Sequence, residues 1–174
     1  MNQAKNTLLG LAAILVVFGG IVWISNRNSG QTGNAGTATV LQGNGRLEAK
    51  ETSYDFGEVS MANGKVTRAF EVTNTSGETV NVKKVYTSCM CTQALIKSSA
   101  GRQFGPFGMP GHGGASPFAN IDVAPGETVA VEAIFDPAAH GPSGVGVIDR
   151  AVYLETNSKE MPKVELTFHA TVTR

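Results

Sequence analysis

Apolar residues recur at every second position over much of this chain. Val129, Val131, Ala133 and Phe135 face one way, and Ala130, Glu132 and Ile134 face the other. Val164, Leu166, Phe168, Ala170 and Val172 alternate in the same manner with Glu165, Thr167, His169 and Thr171. Val66, Phe70 and Val72 share one side of a third run, in which Arg68 is the exception. A period of two marks strands of an antiparallel sheet with one buried face. Val80 and Val82 keep the rule, but Lys83-Lys84 breaks it before Val85, which predicts a bulge. Turn residues separate the runs at Asn74-Thr75-Ser76-Gly77, Pro125-Gly126-Glu127, Asp136-Pro137 and Thr156-Asn157-Ser158. After residue 45 no stretch sustains a period near 3.6. These features predict an all-β fold, an immunoglobulin-like antiparallel β-sandwich of about seven strands over residues 46–174.

The start of the chain has no such alternation. Residues 7–24, TLLGLAAILVVFGGIVWI, contain no charge and are long enough to cross a bilayer as one helix. Ser25-Asn26-Arg27-Asn28 provides no small-x-small cleavage site, and no cysteine follows for lipidation, so an uncleaved signal anchor is expected. Lys5 and the α-amino group precede the span and Arg27 alone follows it. The positive-inside rule therefore places residues 1–6 in the cytoplasm and the folded part outside, as in a single-pass cell membrane protein. Residues 25–45, rich in Gly, Thr, Asn and Gln, read as a flexible linker. Fourteen basic residues balance fourteen acidic ones, and the basic residues are scattered, which argues against nucleic acid as a partner. Residues 98–120, SSAGRQFGPFGMPGHGGASPFAN, are too rich in Gly and Pro for a strand and read as one long loop. Phe104, Phe107, Met109 and Phe118 within it predict that it packs onto the sandwich.

Asp55-Phe56-Gly57, Asn74-Thr75, Ser88-Cys89-Met90-Cys91-Thr92, Pro125-Gly126-Glu127, Phe135-Asp136-Pro137 and Thr156-Asn157 follow one another in that order. From about Ser53 to Val172 this series resembles an uncharacterised bacterial family of immunoglobulin-like domains, related to the spindle-protein, hydin and major-sperm-protein type. The resemblance implies a seven-stranded sandwich and an exported or anchored bacterial protein, and it implies no established activity. Two departures stand out. Met90 occupies the position between the cysteines where the family commonly has Gly, and the Gly-rich loop around His112 is longer than the family needs.

The chain has two cysteines, Cys89 and Cys91, and three histidines. In an extended strand, residues two apart share a face, with Cβ atoms roughly 6–7 Å apart. A direct disulfide needs about 3.5–4.5 Å and hence a bent backbone, whereas a metal ion can sit between the two sulfurs. His169 falls on the polar face of the last strand and is set aside. His112 and His140 lie in Gly/Pro-rich segments, and with Cys89 and Cys91 they make a set that zinc accepts as a tetrahedron. Met90 and Met109 would add thioethers and turn the preference toward Cu(I). Two other readings stay open: an extracytoplasmic thiol–disulfide redox pair, and a metal-free module that binds an unknown protein partner. No phosphate loop and no His-Glu-x-x-His appears, and Cys91, His140 and Asp136 could form a triad only through the fold, so no enzyme is expected. Asp136 is expected to cap the turn after Phe135.

Overall fold

The computed structural model describes residues 43–112 and 116–174. The expected cytoplasmic residues 1–6, the anchor at 7–24 and all but the last three residues of the linker lie outside the described residues. Among those described, no helix is long and apolar enough to cross a membrane.

Among the described residues, ten strands follow in chain order: β1 (Leu47–Ala49), β2 (Ser53–Ser60), β3 (Val66–Asn74), β4 (Val80–Thr87) and β5 (Thr92–Lys97), then β6 (Gln103–Phe107), β7 (Phe118–Val123), β8 (Thr128–Phe135), β9 (Gly146–Thr156) and β10 (Lys163–Thr173). They form two five-stranded sheets, ordered β1-β3-β8-β5-β6 and β2-β10-β9-β4-β7. The all-β sandwich is as expected, but the expected seven strands become ten. The antiparallel expectation also needs one correction, because β2 runs parallel to β10.

Alternation explains the core. Val129, Val131, Ala133 and Phe135 are buried, as are Val164, Leu166, Phe168, Ala170 and Val172. The rings of Phe135 and Phe168 meet across the two sheets with centroids 5.5 Å apart. Each Val, Leu and Phe among them contributes about 1.5–3 kcal/mol by leaving water. Arg68 keeps the inward parity of its strand, and its guanidinium lies 4.2 Å over the Tyr54 ring while pairing with Glu51. The cation thus caps the edge of the core with one end of its guanidinium paired to Glu51, while its buried Nε has no hydrogen-bond partner among the described residues.

The reading of 98–120 as a single loop also needs correction, because β6 and the first residues of β7 fall within it. Pro106, joined to Gly105 by a cis peptide, sits in β6. That strand lies at a sheet edge, where a missing N–H costs no ladder bond on its outer side. Phe107 is buried and Phe104 packs against the core, whereas Phe118 remains exposed.

The bulge predicted in β4 is present: both of its ladders shift register between Val82 and Lys84. The extra residue resets parity, so that Val80 and Val82 before it and Val85 and Thr87 after it all point inward. Thr87 therefore enters the core just where the chain leaves for Cys89.

Candidate functional site

Cys89, Met90 and Cys91 occupy the short connection from β4 to β5, not an extended strand. The Thr92 amide donates to the Cys89 carbonyl at 3.1 Å, closing a tight turn. The Thr87 hydroxyl, 1% exposed, lies 3.0 Å from both the Cys89 and Thr92 carbonyls and supports the turn from below. Ser88 fixes one side: its amide donates to the Ala151 carbonyl at 3.0 Å, and its hydroxyl accepts from the Ala151 amide at 2.9 Å. The Asp136 amide donates to the Cys91 carbonyl at 2.9 Å and fixes the other.

This turn corrects the extended geometry expected from spacing alone. The two cysteine Cα atoms are 5.3 Å apart and the sulfurs are joined as a disulfide. The bent backbone that a direct bond requires comes from buried Thr87 and the paired strands on either side.

Two further groups converge on the sulfurs. His140 Nε2 lies 3.2 Å from Cys89 Sγ, and Arg150 Nε donates to Cys91 Sγ at 3.2 Å. His140 arrives by way of the turn that ends β8, where Asp136 Oδ1 accepts from the Ala138 amide at 3.0 Å, the capping role expected of it. Arg150 arrives on β9, whose Val152 pairs with Thr87 of β4. Its conformation is held by a second bond, from Nη1 to the Asp149 carbonyl at 2.8 Å. The sulfurs differ in access. Cys91 is 2% exposed, while Cys89 is half-buried and borders an open depression of about 370 Å³.

Five of the six expected ligand residues, Cys89, Met90, Met109, His112 and His140, line that depression. Ligand atoms of Cys89, Cys91 and His140 all lie within 4.8 Å of one another and could hold a metal ion. His112 borders the depression outside that cluster, in a turn where its amide donates to the Met109 carbonyl at 3.1 Å. The loop is drawn to the site by backbone bonds, since the Thr87 amide donates to the Gly108 carbonyl at 3.3 Å. Arg150 was missed by sequence reasoning. Nothing near it in sequence marks it, and only strand register carries it to the cysteines.

A second polar cluster lies on the outer face of β2, β10 and β9. Ser53 Oγ is 3.2 Å from His169 Nε2, and His169 Nδ1 hydrogen-bonds to the Asp149 carboxylate. The order matches a hydroxyl–imidazole–carboxylate relay, but all three residues are exposed and water competes for each link. His169 thus faces solvent, as its parity in the strand required.

Residues 47–102 match the model of a family described as protein of unknown function (DUF1573). No curated protein matches the sequence. Among solved structures, a protein of unknown function from Porphyromonas gingivalis W83 superposes with a TM-score of 0.54 at 17% identity, over 79% of this chain and 51% of that one. This chain thus spans about half the length of that protein, and the likeness is one of fold. An ASH/PapD-like domain of human CEP192 gives a TM-score of 0.43 at 14% identity, over 74% of this chain and 85% of that one. The periplasmic chaperone SfaE gives 0.39 at 9% identity, over 74% and 59%.

Proposed function

We propose that this protein is a membrane-tethered, extracytoplasmic thiol–disulfide module whose working group is the Cys89–Cys91 pair. One observation carries the reading: the bonded pair meets an open depression at Cys89, with Arg150 against the sulfur of buried Cys91 and His140 against that of Cys89. A bond closing a loop of only three residues removes little entropy from the unfolded chain, about 1.6 kcal/mol against about 3 for a 15-residue loop. The pair therefore contributes little as a staple, and its placement favours exchange. An oxidising compartment outside the membrane suits a disulfide in its resting form.

The chemistry follows from the unequal access of the two sulfurs. A thiolate of a partner dithiol attacks Cys89 Sγ, the Cys89–Cys91 bond breaks, and Cys91 departs as a thiolate. The Arg150 guanidinium already lies against the charge that Cys91 acquires, and a better-stabilised leaving sulfur leaves faster. The partner's second thiolate then attacks its own sulfur of the mixed disulfide. This releases Cys89 reduced and leaves the partner oxidised.

Equilibration of the full chain in graded glutathione buffers, followed by thiol counting, tests this reading. The expected result is two thiols per chain appearing together, with the midpoint above that of structural disulfides, which lie below about −300 mV. A pair that stays oxidised until that range is passed would sink it.

The clustering of Cys89, Cys91 and His140 supports a second reading, in which the reduced pair and the imidazole hold zinc or copper. The two readings describe two redox states of the same residues and do not compete.

A further inference from the structure

We infer that Arg150 makes the reduced Cys89–Cys91–His140 cluster a site for a soft monovalent cation, Cu(I), in preference to a divalent one such as zinc. This inference rests on the second reading above, that the reduced pair binds metal.

Charge decides the preference. On reduction the pair supplies two thiolates, and with the guanidinium that lies 3.2 Å from Cys91 Sγ in the disulfide form they leave a single net negative charge, because His140 coordinates as a neutral ring. A monovalent ion brings the cluster to neutrality, whereas a dication leaves it positive beside a fixed cation on a half-buried residue. None of the described residues lining the depression is acidic, and the carboxylate of Asp136, whose amide bonds to the Cys91 carbonyl, is engaged by the Ala138 amide and by Lys65. Asp149 lends Arg150 only its backbone carbonyl, and its carboxylate is engaged by His169.

Donor chemistry points the same way. The cluster offers three donors, while zinc held structurally takes four. The additional groups bordering the depression include the thioethers of Met90 and Met109, which are soft donors. Arg150 touches a ligand sulfur and, as a protonated guanidinium, offers no donor pair to a metal, so it is a specificity-determining residue that acts through charge.

The test is competition on the full chain after reduction, with Cu(I) or Zn²⁺ supplied alone or together against calibrated chelators. The reduced wild type is expected to take one Cu(I) per chain and to lose it to zinc only at large excess. Arg150→Gln should shift the ratio of zinc to copper affinity toward zinc by about ten- to a hundredfold, since removing one charge relieves a dication twice as much as a monocation. The ratio is the readout because changes in thiol protonation affect both metals alike. Arg150→Lys keeps the charge and should keep most of the wild-type ratio. Loss of the side chain's packing alone would instead move both variants together. An unmoved ratio in folded Arg150→Gln, or zinc displacing copper from the wild type at equal free concentration, overturns the inference. A reduced chain that holds neither metal overturns the metal reading itself.

Discussion

The Glu127 carboxylate accepts from the Ala124 amide at 3.0 Å and from the Ser99 hydroxyl at 2.9 Å, which joins the turn before β8 to the end of β5. These bonds hold its pKa below the ordinary carboxylate value, the Ala124 amide being the larger cause. A folded-state pKa below the unfolded one contributes stability that is present above the unfolded value, near 4.5, and is lost as pH falls through the folded one. Glu127→Gln should therefore flatten the acid limb of the melting-temperature profile below about pH 5 and leave the neutral plateau lower. The effect at neutral pH should be no more than about 1 kcal/mol, because solvent screens the site. Thermal melts of both proteins from pH 3 to 7 would show it, and parallel acid limbs would refute it.

Among the elements, β4 carries the most consequence for the site. Its bulge lets Thr87 share the inward face of Val80, Val82 and Val85. Buried Thr87 then supports the turn that bends Cys89 back to Cys91. Because β4, β5, β8 and β9 frame this turn through backbone bonds, the fold should not depend on the sulfur–sulfur bond. Replacing both cysteines by serine should lower unfolding stability by about 2 kcal/mol or less, on the loop-entropy scale for three residues. Denaturant melts of the double variant measure this. Collapse of the fold would mean that the disulfide or a bound metal holds the sandwich together. Strand reading from alternation succeeded for β3, β8 and β10, where one face meets the core and the other meets water. It failed for β6, because Gly105 and Pro106 are tolerated at a sheet edge, and whether a strand lies at an edge is not a local property.

At the scale of the whole molecule, the uncharged segment 7–24 should keep the full chain with lipid. Full-length protein is expected to sediment with membranes through high-salt and carbonate washes and to need detergent for release. Recovery in the aqueous fraction would remove the tether from the proposed function. The alternation of apolar residues, the turn chemistry and the Lys83-Lys84 break are properties of neighbouring residues. For that reason the sandwich, the bulge and the cap at Asp136 could be read from the chain. The cysteine pair and His140 could also be nominated from residue type, as could the soft thioethers of Met90 and Met109. What the spacing could not supply was the conformation between the cysteines, since residues two apart are distant in a strand and close in a turn. Nor could it supply Arg150, which lies 59 positions from Cys91 and touches it only because β9 pairs with β4 in one register. Local patterns are set by which face of each strand leaves water, whereas the chemistry of the sulfurs is set by contacts between strands distant in sequence.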